Sequence, residues 1–195
     1  MPSVIGGAAQ YMLPGLPDLP EGFRYKPSLI DETAELSLIR QLEKLQFSPF
    51  QFHGFEGKRR VVSFGWRYDF NGGGLQKTDP FPSFLLPVRD AAATAFGLEG
   101  STLEQALLLE YGPGASIGWH KDRPIFGNVI GISLRSPCTF RFRRKNGTKW
   151  ERKSITAEPR SAYLLQGQSR NDWEHSIPAV SEKRYSITFR SLRDR

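Results

Sequence analysis

The chain has 195 residues, the size of one domain with a sizeable hydrophobic core. Its single cysteine, Cys138, excludes an internal disulfide bond, and no apolar run approaches the roughly 20 residues of a membrane-spanning helix. No positively charged segment precedes an apolar one near Met1, so we expect no signal peptide and a cytoplasmic protein, or a nuclear one in a eukaryote. The formal net charge of +7 fits two interpretations, a surplus that keeps the protein soluble or a surface that attracts polyanions.

Two helices are predicted in the N-terminal half, after a segment rich in proline and glycine. That segment, residues 1–28, shows little periodicity, so we expect an irregular arm followed by a single domain over residues 29–195. Asp31 has the character of a helix N-cap, and apolar residues recur at helical spacing after it, at Leu36, Ile39, Leu42 and Leu45. A second helix is predicted from Phe84 to Phe96, closed by Gly97. Both helices are expected to cover a sheet.

Aromatic, small and basic residues alternate between Phe50 and Phe70. Aromatic faces stack on bases while adjacent arginines bind phosphates. The segment is therefore a candidate nucleotide-binding flap, formed by Arg59, Arg60, Trp66, Arg67 and Tyr68. An ordinary strand pair that buries its aromatics in the core is an equally good interpretation. His53 is expected to be structural or exposed, and the Asn71-Gly-Gly-Gly sequence predicts flexibility alone, because it lacks the lysine and hydroxyl residue of a phosphate-binding loop.

From Leu103 onward, short apolar runs separated by turn residues predict several β-strands. Strands that follow two helices indicate antiparallel sheets, as a pair or a barrel, backed by those helices. The Asn146-Gly147 dipeptide predicts a two-residue hairpin turn. The hairpin is also the most basic part of the chain, and strand alternation separates Phe140 and Phe142 from its cations. We interpret its basic face as a ridge that binds polyanions rather than as a solvated edge, with contributions from Arg141, Arg143 and Arg152.

A histidine and an aspartate two positions apart, His120 and Asp122, predict a metal site. In extended backbone their side chains share one face, with Cα atoms about 7 Å apart. His175 lies far downstream and supplies a second imidazole. Two imidazoles and one carboxylate can form the facial triad of non-haem Fe(II) enzymes, which leaves coordination positions open for substrates. This pattern predicts a non-haem iron oxygenase.

The segment from Arg184 to Arg190 alternates between two kinds of side chain. One face carries Tyr185, Ile187 and Phe189, and the other carries Arg184, Ser186, Thr188 and Arg190. If the apolar face packs outward, both arginines point into a barrel, where unpaired charge is very costly. Their Cα atoms would be about 20 Å apart, and their long side chains could close most of that gap around a small dicarboxylate. Alternatively, one or both arginines reach solvent at the strand ends.

Together these motifs resemble those of the AlkB-type Fe(II)/2-oxoglutarate-dependent dioxygenases. The resemblance runs from about Leu109 to Arg190. It includes EYGPG before the metal motif, ISLRSPCTFRFRRK after it, GQSRNDWEHSIP around His175, and RYSITFR. It implies an α+β fold whose core is a double-stranded β-helix, or jelly roll, backed by the N-terminal helices. Residues 50–75 fall where this family has its nucleotide-recognition lid.

The resemblance also implies roles for individual residues. His120, Asp122 and His175 would bind Fe(II), and no side chain beyond the metal centre would act as a catalyst. Arg184 would bind the distal carboxylate of 2-oxoglutarate, and Arg190 would lie near its metal-chelating end. Further contacts to the cosubstrate would come from Tyr111 and Ser186.

Three positions depart from the pattern of this family. Leu109 and Ser186 stand where asparagine is frequent, which alters polar contacts to the cosubstrate. Arg123-Pro124 stands where an acidic residue often follows the metal motif, so the identity of the target base stays open.

The expected activity is oxidative demethylation, or dealkylation, of nucleobases in DNA or RNA, as in DNA repair or RNA demethylation. Such an enzyme uses Fe(II), 2-oxoglutarate and O2 and releases formaldehyde, succinate and CO2. The expected partner is alkylated nucleic acid, whose target base must leave the stack, and we expect a monomer that does not bind membranes. Two alternatives are the same chemistry on a protein or small molecule, and a jelly-roll binding module without catalysis. The complete triad and arginine strand disfavour the second alternative.

Overall fold

The helices account for a small part of the molecule. The computed structural model describes residues 18–52 and 55–193. The helices within these ranges are α1 (Glu32–Leu42), α2 (Leu86–Ala95) and α3 (Gly167–Asn171). No helix of the described ranges has the length and apolar character needed to cross a membrane. His53 and residues 1–17 of the predicted arm lie outside the described residues.

Antiparallel β-strands form most of the fold. They are β1 (Phe23–Lys26), β2 (Ser48–Phe52), β3 (Phe55–Phe64), β4 (Trp66–Asp69), β5 (Gly74–Lys77), β6 (Leu103–Tyr111), β7 (Ile117–His120), β8 (Phe126–Leu134), β9 (Cys138–Asn146), β10 (Lys149–Ala157), β11 (Ala162–Leu165), β12 (Glu174–Ile177) and β13 (Arg184–Leu192). The major sheet has the strand order β1-β11-β8-β13-β6-β3-β2, and the minor sheet has the order β10-β9-β12-β7. A separate ribbon pairs β4 with β5.

The major sheet separates two layers of buried apolar residues. One layer packs α1 and α2 against the outer side of the major sheet, through residues such as Leu42, Val88, Leu108 and Ile187. The other fills the space between the sheets and includes Phe23, Phe140, Phe142 and Trp173. Two facing antiparallel sheets with helices on one side form a jelly roll, so the predicted α+β fold class is confirmed.

Strand β13 shows the predicted alternation. Tyr185, Ile187 and Phe189 belong to the layer under the helices, whereas Arg184, Ser186 and Thr188 are buried on the opposite side, between the sheets. A register shift by one residue would reverse these faces. The pairing of β13 with β6 and β8 on either side therefore determines which side chains reach the interior.

Helix α1 begins where the sequence predicts, but the face that it buries differs from the predicted apolar face. The carboxylate of Asp31 accepts a hydrogen bond from the backbone amide of Ala34, as an N-cap residue does. The buried positions are Glu35, Leu38 and Leu42, while Leu36 is 48% exposed. The assignment of Leu36 to the apolar face was wrong, because Glu35 occupies the buried position next to it.

Two local predictions differ from the structure. Phe23–Lys26, within the predicted irregular arm, forms a strand paired with β11, because Phe23 packs into the core between the sheets. The hairpin between β9 and β10 is present, but Asn146 pairs with Lys149, so the two-residue turn is Gly147-Thr148. Gly147 has the positive φ of 60° that such a turn requires. The glycine-rich sequence that begins at Asn71 joins β4 to β5 in a hairpin, and its predicted flexibility stays a prediction.

The buried carboxylate of Glu35 connects α1 to two loops of the sheets. It accepts a hydrogen bond from the backbone amide of Arg135 at 2.8 Å and pairs with Nη1 of Arg160 at 2.8 Å. Both arginines have the left-handed backbone conformation, with φ of 75° and 66°. Since such a conformation is strained for a residue with a Cβ, the carboxylate stabilises two loops that would otherwise relax.

Removing this carboxylate should destabilise the fold. We expect Glu35→Ala to lower the free energy of unfolding by about 1 to 3 kcal/mol, because the amide of Arg135 loses its partner. Glu43→Ala is the matched control, since Glu43 pairs with the side chain of the same Arg135 at 3.5 Å and both groups are exposed. It should change stability by less than about 1 kcal/mol. Urea titration of both variants measures the difference, and equal losses would contradict the role given to Glu35.

Candidate metal centre and cosubstrate pocket

A cavity of about 1310 Å³ opens between the two sheets. Its walls come from β3, β6 and β13 of the major sheet, from β7 and β12 of the minor sheet, and from β4 of the ribbon. The predicted site residues within its lining are Tyr68, Tyr111, His120, Asp122, His175, Ser186 and Arg190. Residues that are far apart in the sequence therefore meet around one space.

The two histidines are brought together by strand pairing. His120 in β7 and His175 in β12 are direct cross-strand partners, and their ring centroids are 4.3 Å apart. The ring of Phe140 stacks on His175 at 5.3 Å and restricts its orientation. Nδ1 of His120 lies 2.8 Å from the carbonyl oxygen of Gly118. In the neutral tautomer in which Nδ1 donates to this carbonyl, Nε2 of His120 has a free lone pair.

Asp122 follows β7 and is fixed by one arginine. Its side chain is 5% exposed, and its Oδ1 accepts hydrogen bonds from Nε and Nη2 of Arg190 at 2.9 and 2.8 Å. Nη1 of Arg190 in turn donates to the buried side chain of Gln105 at 2.9 Å. The other oxygen, Oδ2, is buried without a hydrogen-bond partner among the described residues and lies 3.7 Å from Nε2 of His175.

Burial and neighbouring charges prepare these groups to act as ligands. Burial, followed by the proximity of His120, lowers the pKa of His175 to about 3, so its contact with Asp122 at neutral pH is not an ion pair. Burial also lowers the pKa of His120. Burial alone would raise the pKa of Asp122, but Arg190 and the two histidines lower it below its ordinary value. Two neutral imidazoles and an ionised carboxylate result.

This donor set fits the Fe(II) ion expected from the sequence. No three His, Cys, Asp or Glu side chains within residues 18–52 and 55–193 already stand in a closed coordination shell. The partnerless Oδ2 of Asp122 beside Nε2 of His175, however, is the kind of buried polar atom that a bound cation satisfies. Two nitrogens and one oxygen are donors suited to iron.

A second polar group lies behind the cavity wall at Arg184. This residue is 1% exposed, and its Nε and Nη2 atoms lie 3.3 and 3.2 Å from the hydroxyl of Ser133. Its guanidinium is 5.0 Å from the ring centroid of Tyr111, and its Nη1 has no hydrogen-bond partner among the described residues. Tyr111 is the cross-strand partner of Arg184, and Tyr111 and Ser186 both line the cavity. A buried, partly unsatisfied guanidinium of this kind suits a carboxylate.

Sequence patterns did not identify Arg170, which shapes the loop after Asp122. Arg170 is 5% exposed and donates to three backbone carbonyls, those of Arg123, Phe126 and Gly127, at 2.7, 2.7 and 3.2 Å. These bonds hold the loop that carries Asp122 against α3. Carbonyl partners leave no side-chain pattern, so only the position of Arg170 within the GQSRNDWEHSIP segment could have drawn attention to it.

The predicted lid region contributes to the cavity through some of its residues. Tyr68 lines the cavity and contacts the ring of Phe70 at 5.0 Å, and Phe70 contacts Phe50 at 5.5 Å. The guanidinium of Arg123 lies 4.9 Å from the ring of Tyr68. Trp66 is not part of the cavity lining; it lies on the ribbon near Lys77. Part of this segment therefore lines the cavity, as a nucleotide-binding flap would. Another part belongs to the core, as in an ordinary strand pair, because Phe64 is buried there.

The predicted ridge is the outer face of the minor sheet, and it also contains two tryptophans. This basic face consists of Trp119, Arg141, Arg143, Trp150 and Arg152. Arg143 lies 4.7 Å from the ring of Trp119 and 4.3 Å from that of Trp150, and it pairs with Glu174. Arg141 lies 5.0 Å from Trp119 and donates to Ser176. Trp150 and Arg152 are exposed, whereas Trp119 lines the cavity, so the face continues into the cavity wall.

Comparison with known protein families places this site in a class. A family model described as the 2OG-Fe(II) oxygenase superfamily matches residues 22–190. The chain therefore belongs to the 2OG-Fe(II) oxygenase superfamily, whose members use Fe(II), 2-oxoglutarate and O2. The resemblance to AlkB-type dioxygenases, and the prediction of an Fe(II)/2-oxoglutarate-dependent enzyme, are confirmed.

Curated relatives fall within the AlkB group. An alkylated DNA repair protein ALKBH8 homolog of Arabidopsis thaliana is 27% identical over 173 residues, which cover 70% of this chain and 50% of that protein. The tRNA (carboxymethyluridine(34)-5-O)-methyltransferase ALKBH8 of Mus musculus is 26% identical over 175 residues, which cover 87% of this chain and 26% of that protein. The chain thus spans half or less of the length of these relatives.

Solved structures share the fold. The structure of OsALKBH1 superposes with a TM-score of 0.67 at 15% identity, covering 89% of this chain and all of that one. A 2OG-Fe(II) oxygenase family oxidoreductase from Burkholderia pseudomallei superposes with a TM-score of 0.61 at 13% identity, covering 89% of this chain and 85% of that one. At these identities the likeness concerns the fold alone.

The lowered pKa of His175 predicts how the metal-free protein responds to acid. Since the pKa is about 3 in the fold and 6.5 as an ordinary value, the stability linked to neutral His175 is complete above pH 6.5 and is lost as the pH falls towards 3. Between these values the group should reduce the free energy of unfolding by up to about 1.4 kcal/mol per pH unit. Urea titrations in the presence of chelator should give a shallower pH slope for His175→Gln, and an unchanged slope would contradict the assignment.

Proposed function

We propose that His120, Asp122 and His175 hold Fe(II), and that 2-oxoglutarate lies between this centre and Arg184. The observation that carries the proposal is the meeting of the three donors in one cavity, with the partnerless Oδ2 of Asp122 beside Nε2 of His175. Together, bound Fe(II) and 2-oxoglutarate supply the activation of O2 that oxidises a C–H bond, while 2-oxoglutarate is converted to succinate and CO2.

The protein's own residues position the reactants. Arg190 donates hydrogen bonds to Oδ1 of Asp122, so Oδ2 is the oxygen that faces His175. The carbonyl of Gly118 fixes the tautomer of His120. Arg184, with a buried Nη1 that lacks a partner among the described residues, would bind the distal carboxylate, and Tyr111 and Ser186 would contact the cosubstrate from the adjacent wall. No side-chain nucleophile or general base is needed.

We further propose that the substrate is an alkylated nucleobase in DNA or RNA, which is oxidised at the carbon attached to nitrogen. The hydroxylated alkyl group then leaves as an aldehyde, formaldehyde in the case of a methyl group. Support comes from the basic face, because its cations and indoles continue through Trp119 into the cavity. Base stacking on aromatic rings and phosphate binding by arginines are the means by which single strands bind. The names of the relatives, which refer to DNA repair and to a tRNA uridine, support the same class.

In this proposal residues 50–75 act as the lid over an extruded nucleotide. Tyr68 and Phe70, with the guanidinium of Arg123 beside both rings at 4.9 and 5.1 Å, offer a stacking surface at the cavity. A base that leaves its helix loses stacking with its neighbours, and an aromatic surface of this kind replaces part of that interaction.

The metal assignment predicts a sharp contrast between two aspartates. Asp122→Asn should weaken Fe(II) binding at least about a hundredfold, since an anionic ligand becomes neutral, and should abolish conversion of 2-oxoglutarate to succinate. Asp172→Asn is the matched control, because Asp172 is exposed and is not part of the cavity lining. Anaerobic equilibrium dialysis measures binding, and Fe(II) affinity that survives in Asp122→Asn would rule out this centre.

The nucleic-acid assignment predicts salt-dependent binding through the basic face. Trp150→Ala should weaken binding of a single-stranded oligonucleotide roughly five- to a hundredfold, the range expected for one base–aromatic stack. Arg152→Gln should make the dependence of affinity on salt less steep by about 0.7. Arg40→Gln, an exposed arginine on α1 behind the major sheet, should change neither quantity.

Fluorescence anisotropy over a series of salt concentrations tests these values. Turnover of 2-oxoglutarate, followed with a panel of methylated oligonucleotides, should release formaldehyde. Stimulation by peptides or metabolites alone, with unchanged oligonucleotide affinity in Trp150→Ala and Arg152→Gln, would instead establish the alternative of a protein or small-molecule substrate.

A further inference from the structure

Arg59 in β3 is a cation of the cavity that the metal and cosubstrate residues leave unused. It lines the same cavity as Tyr111 and His120 and is close enough to influence the pKa of both. Its guanidinium lies 3.8 Å from the ring centroid of Phe50, so apolar surface covers one side of it. Its Nη1 makes one long hydrogen bond, 3.4 Å, to the carbonyl of Ser116. Its Nε is buried without a partner among the described residues.

Three arginines near the site have carboxylate partners, and Arg59 does not. Arg190 pairs with Asp122, Arg143 with Glu174, and the neighbouring Arg60 with Glu110. Among the described residues, no ion pair includes Arg59. Burial lowers its pKa. A desolvated guanidinium with donors to spare is costly unless an anion binds to it.

We propose that Arg59 forms an anion subsite of the substrate pocket, which binds an oxyanion carried by the substrate close to the reacting carbon. The inference rests on the proposed function in one respect, that the substrate enters this cavity. The oxyanion is either a carboxylate on the base or a backbone phosphate of the target nucleotide, since a guanidinium fork binds both in the same geometry.

The position of Phe50 connects this subsite to the stacking surface of the lid. Phe50 contacts both Arg59 and Phe70, and Phe70 contacts Tyr68. A planar base that stacks on these rings would therefore present its edge substituents, or its own phosphate, towards Arg59. The subsite would select substrates by charge, whereas the rings tolerate any base.

The test compares oligonucleotides that differ in one charge. Protein loaded with Fe(II) and 2-oxoglutarate without O2 can bind an oligonucleotide but cannot oxidise it, so the experiment measures affinity alone. The first probe pair is a single-stranded pentanucleotide with a central 5-carboxyuracil and the same strand with the uncharged carboxamide. The second pair has an unmodified central base, with a normal phosphate or an uncharged methylphosphonate on its 5′ side. Each pair is measured with wild type, Arg59→Gln and Arg60→Gln.

The matched control is Arg60→Gln, because Arg60 is the next residue of β3, carries the same charge and is not part of the cavity lining. Wild type should prefer the charged member of one pair by about ten- to a hundredfold, the usual contribution of a charged hydrogen bond. Arg59→Gln should lose this preference and Arg60→Gln should keep it. The pair that shows the effect identifies the source of the oxyanion. A preference retained in Arg59→Gln, or absent from wild type, would overturn the subsite.

A second measurement separates the subsite from the proposed substrate class. If no oligonucleotide binds, the nucleic-acid proposal fails, and the subsite is then judged by titration of the loaded protein with inorganic phosphate and with acetate. In ¹⁵N-labelled protein, the Nε–H resonance of Arg59, assigned by its absence in Arg59→Lys, should shift on titration with either anion. A resonance that does not move overturns the subsite. Affinity for 2-oxoglutarate should be unchanged in Arg59→Gln, and a loss there would assign Arg59 to the cosubstrate instead.

Discussion

The ion pair between Asp122 and Arg190 is the interaction on which the site depends. Both side chains are almost fully buried, at 5% and 11% exposure, so neither charge is acceptable without the other. Arg190 belongs to β13 in the major sheet, and Asp122 follows β7 in the minor sheet. The pair therefore connects the two sheets at the cavity. It also gives the two oxygens of one carboxylate different roles, since Oδ1 binds Arg190 and Oδ2 is available to a cation.

The pairing register of β12 positions His175 and the residues on either side of it. β12 lies between β9 and β7, and its two-residue alternation points His175 inward while Glu174 and Ser176 contact arginines of the basic face. A slip of one residue would exchange these sets and remove the second imidazole from the cavity. The same strand thus places a candidate ligand on one side and anchors the candidate nucleic-acid surface on the other. This arrangement explains how chemistry and substrate binding can be adjacent in a small domain.

Much of the fold and of the candidate site could be predicted from the sequence, wherever a residue's role follows from local periodicity. The alternation from Arg184 to Arg190 predicted which side chains share a face of the strand, and the pair His120 and Asp122 predicted neighbouring ligands, because period-two geometry is a property of the strand itself. Arg59 was predicted only as one residue of the candidate flap, and Arg170 and the indole of Trp119 were not predicted as site residues. Their roles depend on which strands and loops become neighbours across the fold, and Arg170 binds carbonyls that no side-chain pattern records. The exposure of Leu36 has the same origin, since a tertiary contact of Glu35 determined which face of α1 packs.

The charges of the cavity show that this basic protein places cations in its interior as well as on its surface. The charge of a divalent ion cancels that of the 2-oxoglutarate dianion, and the charge of Asp122 cancels that of Arg190. Arg184 would be engaged by the cosubstrate carboxylate already counted, so the loaded site keeps a positive excess, to which Arg59 contributes from the cavity wall. In a poorly hydrated cavity such an excess favours an anionic substrate and disfavours a cationic one. Selection by charge can therefore begin inside the pocket, where salt screens it least.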